Sequence, residues 1–232
     1  MFNLPWRIHW LNPLVLTAVF VLCVAAAKGV QPLFYWPVEG VKVIGAMERL
    51  EQKKLQYALA DSLAEGFLAS DLDNVKDSVE SLPWVGSAKV RRLWPEQIEV
   101  VLSEKKPVAN WLQNGFLDSN LVAFFPADYS GFESLPKLAG PVGSERKVWE
   151  FYQAVSQQMD VLEVQVDVVS MAKHGAWSLH LKNGPWILLG KDQTRERLKR
   201  LNSVYTSLNN RWEEVRLIDM RYPNGFSVEW TQ

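Results

Sequence analysis

One cysteine, Cys23, serves all 232 residues, so neither an intramolecular disulfide nor a thiolate metal cluster can form within the chain. Net charge is almost absent too. Lys and Arg total 25 against 26 Asp and Glu, a formal charge of -1, which leaves no global field to attract nucleic acid or acidic substrates. Only three histidines occur, His9, His174 and His180, and none has a second His or Cys at metal-ligand spacing. No G-x-S-x-G nucleophile elbow is present. The stretch from Gly184 to Lys191 is one residue too long for a phosphate loop, and Asp192 stands where Ser or Thr is required. The acidic pairs Asp71/Asp73 and Glu213/Glu214 read as helix starts and solvated faces. The basic cluster Arg195, Arg197, Lys199 and Arg200 likewise reads as the water-facing side of a helix. Together these absences predict no catalytic residues, no cofactor, no metal, no nucleic acid and no small-molecule substrate.

One long uncharged stretch is present. Leu14 to Ala27 carries a single hydroxyl, Thr17, and no charge. Counted from Leu11, about 17 residues of helix span roughly 25 Å, a little short of a hydrocarbon core of roughly 30 Å. Lys28 can snorkel to the headgroups, and Gly29 and Val30 can extend the helix. Trp6 and Trp10 precede the run and Phe34, Tyr35 and Trp36 follow it, as two membrane interfaces favour. The reading is a short tail over 1–10, a transmembrane helix over 11–30 and a linker over 31–40. A cleaved secretory signal is the competing reading, because Ala25-Ala26-Ala27 fits a small-x-small site. The weakly basic, aromatic N-terminus, with Arg7 and His9, favours a retained anchor. Bulky Leu22 before Cys23 argues against a lipoprotein.

From Val41 the period changes several times. Val41 and Val43 flank Lys42 in a short strand, and then Met47, Leu50, Leu55, Leu59 and Leu63 recur at helical spacing. A second helix starts at Ser70-Asp71-Leu72-Asp73, where Ser70 can cap and Asp73 can close a capping box. Its apolar stripe is Leu72, Val75, Val79 and Leu82, and Pro83 marks its end. Two alternating strands follow, one through Ala88 and Val90, the other through Ile98, Val100 and Leu102. The order β-α-α-β-β over 41–106 is a small α+β unit with both helices on one face of a three-stranded sheet.

A second unit covers 107–232. It opens with a loop-rich stretch broken by Asn114-Gly115, Pro126, Gly131, Pro136 and Gly140. Ser144 can cap a helix whose stripe includes Val148, Val155 and Met159. Strands are expected through Val164–Val168 and Trp177–Leu181, with Asn183-Gly184 turning into Trp186–Leu189. Asp192 can cap a last helix bearing Leu198, Leu201, Tyr205 and Leu208. Two final strands, Val215–Tyr222 and Phe226–Trp230, meet at Pro223-Asn224-Gly225. The unit reads as an antiparallel sheet with helices on one face. An ectodomain without chemistry can still offer a sheet edge to an extended chain, and the last strand is the candidate edge.

Residues 82–111 are the most specific block: Leu82-Pro83-Trp84-Val85, Ala88, Val90-Arg91-Arg92, Trp94-Pro95, Glu104, Pro107-Val108-Ala109 and Trp111. With Gly45, the run from Gly66-Phe67 to Asp71-Leu72, and Asp219-Met220-Arg221-Tyr222 with Gly225, Val228 and Trp230, this pattern resembles the FtsQ/DivIB family of bacterial cell-division proteins. The loop Leu117-Asp118-Ser119-Asn120 departs from it by lacking a glycine. The resemblance implies that the first unit is a POTRA (polypeptide-transport-associated) domain. It also implies a single-pass inner-membrane protein of the division septum, N-terminus cytoplasmic and bulk periplasmic. Such a protein is a non-catalytic scaffold that binds FtsB within an FtsB–FtsL complex and meets other divisome proteins through its POTRA unit. On the C-terminal edge, Arg221 would offer a charge to a partner carboxylate and Tyr222 a flat apolar anchor. Asn224 and Gly225 would set the register, and Phe226, Ser227, Val228 and Trp230 would supply the strand. Another POTRA-bearing envelope accessory protein is the second reading, and an exported hydrolase with a cleaved signal the third.

Overall fold

A computed structural model of the chain describes residues 17, 19–25, 36–45 and 47–231. The chain divides into two compact units, Met1–Glu104 and Lys105–Gln232. Residues 17 and 19–25 are helical, and Val19, Phe20, Val21 and Leu22 expose their side chains. Among the described residues no helix is long and apolar enough to cross a membrane. The rest of the expected span over 11–30, and the tail over 1–10, lie outside the described residues.

The first unit runs β1 (Gly40–Ile44), α1 (Gln52–Ser62), α2 (Leu72–Glu80), β2 (Val85–Leu93) and β3 (Gln97–Glu104). Its sheet has the order β1-β3-β2, with β1 parallel and β2 antiparallel to β3. Ile98, Val100 and Leu102 alternate onto one face of β3 and share a core with Leu55 and Leu59 of α1 and Val75 and Val79 of α2. Each such side chain stabilises the unit by about 1.5–3 kcal/mol on full burial, which is why two short helices suffice here. On the opposite face Glu99 is also buried, because Arg91 Nε lies 2.6 Å from its Oε1 and Lys42 Nζ 3.9 Å from its Oε2. The Arg91 hydrogen bond, opposed by burial and helped by both positive charges, holds the Glu99 carboxyl below the usual carboxylate range.

Two helix starts differ from the sequence reading. Asp71, not Ser70, caps α2, accepting the Asp73 N–H at 3.0 Å, while Ser70 Oγ donates back to the Gly66 carbonyl at 2.7 Å. A carboxylate is the stronger acceptor for an orphan helix amide, and Ser70 is buried with both its N–H and its hydroxyl donating to the Gly66 carbonyl. Met47 and Leu50 fall before α1, and Leu82 falls after α2.

The second unit contains β4 (Pro107–Trp111), β5 (Gly115–Asp118), β6 (Ala123–Phe124), β7 (Lys137–Ala139), α3 (Glu145–Asp160), β8 (Val166–Met171), β9 (Trp177–Leu181), β10 (Trp186–Gly190), α4 (Thr194–Leu208), a 3-10 turn (Asn209–Glu214), β11 (Val215–Asp219) and β12 (Ser227–Trp230). One nine-stranded sheet has the order β12-β11-β10-β9-β8-β7-β4-β5-β6. Trp177, Leu179, Leu181, Ile187, Leu189 and Ile218 from the sheet pack with Val148, Val155 and Met159 of α3 and Leu198, Leu201 and Val204 of α4.

This sheet is mixed, which corrects the expectation of an antiparallel one. β7 pairs parallel to both β4 and β8, and β10 parallel to β11. The reason is connectivity: α3 joins β7 to β8 and α4 joins β10 to β11, and a helix packed on one face returns the chain parallel to the strand it left. The stretch read as loop-rich also holds β4 to β7, of which β6 and β7 have only two and three residues. Ser144 precedes α3 without capping it, since its Oγ donates to the Pro141 carbonyl at 2.6 Å. The last helix begins at Thr194 rather than being capped by Asp192.

Candidate functional site

β12 ends the nine-stranded sheet and pairs on one side only, antiparallel to β11. The ladder matches Asp219 with Ser227, Ile218 with Val228 and Leu217 with Glu229, and Arg216 bulges out before Val215 meets Trp230. Past the strand, the Thr231 N–H donates to the Glu214 carbonyl at 2.7 Å. Successive amides along a strand point to opposite edges, so those of Ser227 and Glu229 also face β11. The amides of Val228 and Trp230 then face outward, where the sheet has no further strand among the described residues. Val228 packs its side chain on the core, Glu229 pairs with Arg216, and the Arg211 guanidinium lies 4.1 Å from the Trp230 ring centroid.

The connection from β11 to β12 is held by ionic and main-chain bonds. Asp219 is buried, and Arg221 grips it with Nε at 2.9 and 3.0 Å from the two oxygens and Nη2 at 2.6 Å. The Arg221 N–H also reaches Oδ1 at 3.0 Å. Those hydrogen bonds, against the cost of burial and with the charges of Arg221 and Arg197, hold the Asp219 carboxyl below its ordinary range. From α4, Arg197 donates Nη1 to the Leu189 carbonyl at 2.5 Å and Nη2 to the Arg221 carbonyl at 3.0 Å. One turn on, Arg200 donates to the carbonyls of Pro223 at 2.9 Å and Tyr222 at 3.3 Å. Gly190 (φ +72°) leaves the room, since a Cβ there would stand 2.8 Å from Arg197 Nη1 and 3.1 Å from Arg221 Cγ.

Of the residues expected on this edge, Ser227, Val228 and Trp230 lie in β12. Arg221, Tyr222, Asn224, Gly225 and Phe226 lie in the connection, which corrects the two longer strands expected. The chain leaves the β12 ladder after Asp219 because the next amide on that edge, the Arg221 N–H, goes to the Asp219 side chain, while the Met220 N–H still reaches the Leu188 carbonyl of β10 at 2.9 Å. Tyr222, Phe226 and Trp230 are 53%, 39% and 38% exposed, three aromatics on one margin. Gly225 is not compelled by space, for a Cβ there meets nothing within 4 Å, and its φ lies outside the left-handed region.

Asp219, Arg197, Arg200 and Gly190 escaped the sequence reading as a set. Arg197 in particular is buried, not part of a solvated face. Its place beside Leu198 and Leu201, on the side of α4 that packs on the sheet, was the available signal. Among the described residues no group of three or more His, Cys, Asp or Glu could hold a metal ion.

Residues 109–221 match the family model of the cell division protein FtsQ/DivIB C-terminal domain, and residues 36–105 match that of the POTRA domain, FtsQ-type. The chain is 32% identical over 220 residues to the cell division protein FtsQ of Xanthomonas campestris, covering 95% of this chain and 78% of that one. It is 29% identical to the cell division protein FtsQ of Hahella chejuensis, over 98% of this chain and 81% of that one. With the same-named protein of Coxiella burnetii the identity is 28%, over 84% and 80%.

Proposed function

Because the chain belongs to the FtsQ/DivIB family of cell-division proteins, we propose that it is a non-catalytic scaffold of the division septum that takes up a partner segment on β12. The partner is FtsB within an FtsB–FtsL complex, and the POTRA unit meets other divisome proteins. An inner-membrane anchor keeps the N-terminus cytoplasmic and both units periplasmic. The single observation that carries this reading is a terminal strand with outward amides beside Tyr222, Phe226 and Trp230, all exposed. Main-chain pairing supplies affinity with little demand on sequence, and the aromatics supply anchoring area.

The test is calorimetric titration of the full chain, in detergent micelles, with a synthetic peptide from the FtsB C-terminus. Two further peptides carry N-methyl groups on alternate amides, one set per strand edge. One of the two sets should weaken binding at least about tenfold, or about 1.4 kcal/mol, and so should Tyr222→Ala. Both methylated peptides binding like the parent would show that no strand is added.

A further inference from the structure

We infer that Arg197 and Arg200 are positioning residues of the C-terminal edge: they clamp the β11–β12 connection onto α4 and so fix where β12 lies. The inference rests on the proposed role of β12 as the receiving edge. Two observations carry it.

First, the acceptors are main-chain carbonyls at successive points of one connection. Arg197 bridges the Leu189 carbonyl at the end of β10 to the Arg221 carbonyl, and Arg200 takes those of Tyr222 and Pro223. The start of the connection is thereby tied to a neighbouring strand and to a helix. β12 itself is four residues long and hydrogen-bonded along one edge, so its own ladder is a weak restraint.

Second, the surroundings are built for the clamp. Burying a guanidinium is costly unless it is hydrogen-bonded and compensated. Arg197 is buried, and both its Nη groups are hydrogen-bonded to carbonyls, with the Asp219 carboxylate near enough for each charge to favour the other. Gly190 yields the space that any side chain would take from the Arg197 guanidinium. A lysine could keep the charge but could not reach two carbonyls with one rigid fork. The clamp therefore acts through the geometry of arginine, and neither residue needs to touch the partner.

The experiment is hydrogen–deuterium exchange on the full chain in detergent micelles, with the FtsB peptide titrated into the same samples. Arg197→Gln should speed exchange of the β12 amides about tenfold and Arg200→Gln about threefold, while β8 and β9 keep wild-type rates. Arg197→Lys and Arg200→Lys should behave like the Gln variants, and peptide affinity should fall in step with the exchange. Should Arg197→Gln fail to fold, the Arg200 pair decides alone. Unchanged β12 exchange in Arg200→Gln, or full rescue by Lys, overturns the clamp. A wild-type chain that never binds the peptide sinks the partner reading instead, and the exchange data still judge the clamp.

Discussion

Asp219 is the residue on which the site's pH behaviour turns. Its pKa is lowered in the folded state, chiefly by the Arg221 hydrogen bonds, so the unfolded chain binds the proton more tightly. Stability from this carboxylate is then complete above its ordinary value, about 3.9, and is lost as the pH falls through the folded value. The melting-temperature gap between wild type and Asp219→Asn should stay flat from pH 8 to 5 and close only in stronger acid. A gap that closes between pH 8 and 6 would assign the effect to another group. The glycines give a second contrast. Gly190→Ala should destabilise, since φ is +72° and the new methyl meets Arg197 and Arg221. Gly225→Ala meets nothing within 4 Å and should be neutral or stabilise by about 0.4–1 kcal/mol through the unfolded chain. Denaturant melts that reverse this order would contradict the geometry. Only the burial of Arg197 was legible in the sequence, from its place beside Leu198 and Leu201; the clamp was not, because its acceptors are carbonyls that every residue owns and Arg197 lies far along the chain from Arg221.

At the scale of elements, legibility followed length and alternation. β3 and β9 alternate buried and outward residues over most of their course, and the period of two located both. β6 and β7 are too short to show any period, so Ala123–Phe124 and Lys137–Ala139 read as loop. Strand direction was lost for another reason. It depends on which strands α3 and α4 connect, a property of pairing across the sheet and not of any local pattern. The junction between α2 and β2 offers a test of packing within the POTRA unit. Trp84 there is 8% exposed, whereas the Arg91 side chain on β2 is 69% exposed and its partner Glu99 keeps Lys42 nearby. Trp84 is buried but belongs to neither hydrophobic core cluster, so Trp84→Ala should cost less than the about 3–5 kcal/mol of an aromatic truncated within a core. Arg91→Ala should cost less. Thermal melts in which the arginine variant is the weaker of the two would overturn the ranking by burial.

For the whole molecule, the proposed membrane anchor turns on residues 17 and 19–25. Val19, Phe20, Val21, Leu22 and Val24 are apolar and exposed on a helix, around more than one face. A helix apolar all round belongs in a core or in lipid, and neither hydrophobic core among the described residues includes these side chains. The proposed anchor of 11–30 has little apolar length to spare, so one charge near its middle should tell. Val19→Arg should cost about 2.5–3.5 kcal/mol of insertion on translocon scales, enough to shift a marginal span out of the bilayer. In fractionated cells the wild-type chain should stay with the membrane pellet after carbonate washing, and the variant should be depleted there. Septal recruitment of a fluorescent fusion should fall with it, since tethering concentrates both units beside their partners. If Val19→Arg washes and localises like wild type, the chain is held by its partners and not by a spanning helix. If N-terminal sequencing of the wild-type chain starts at Lys28, the apolar run is a cleaved signal and the anchor model fails outright.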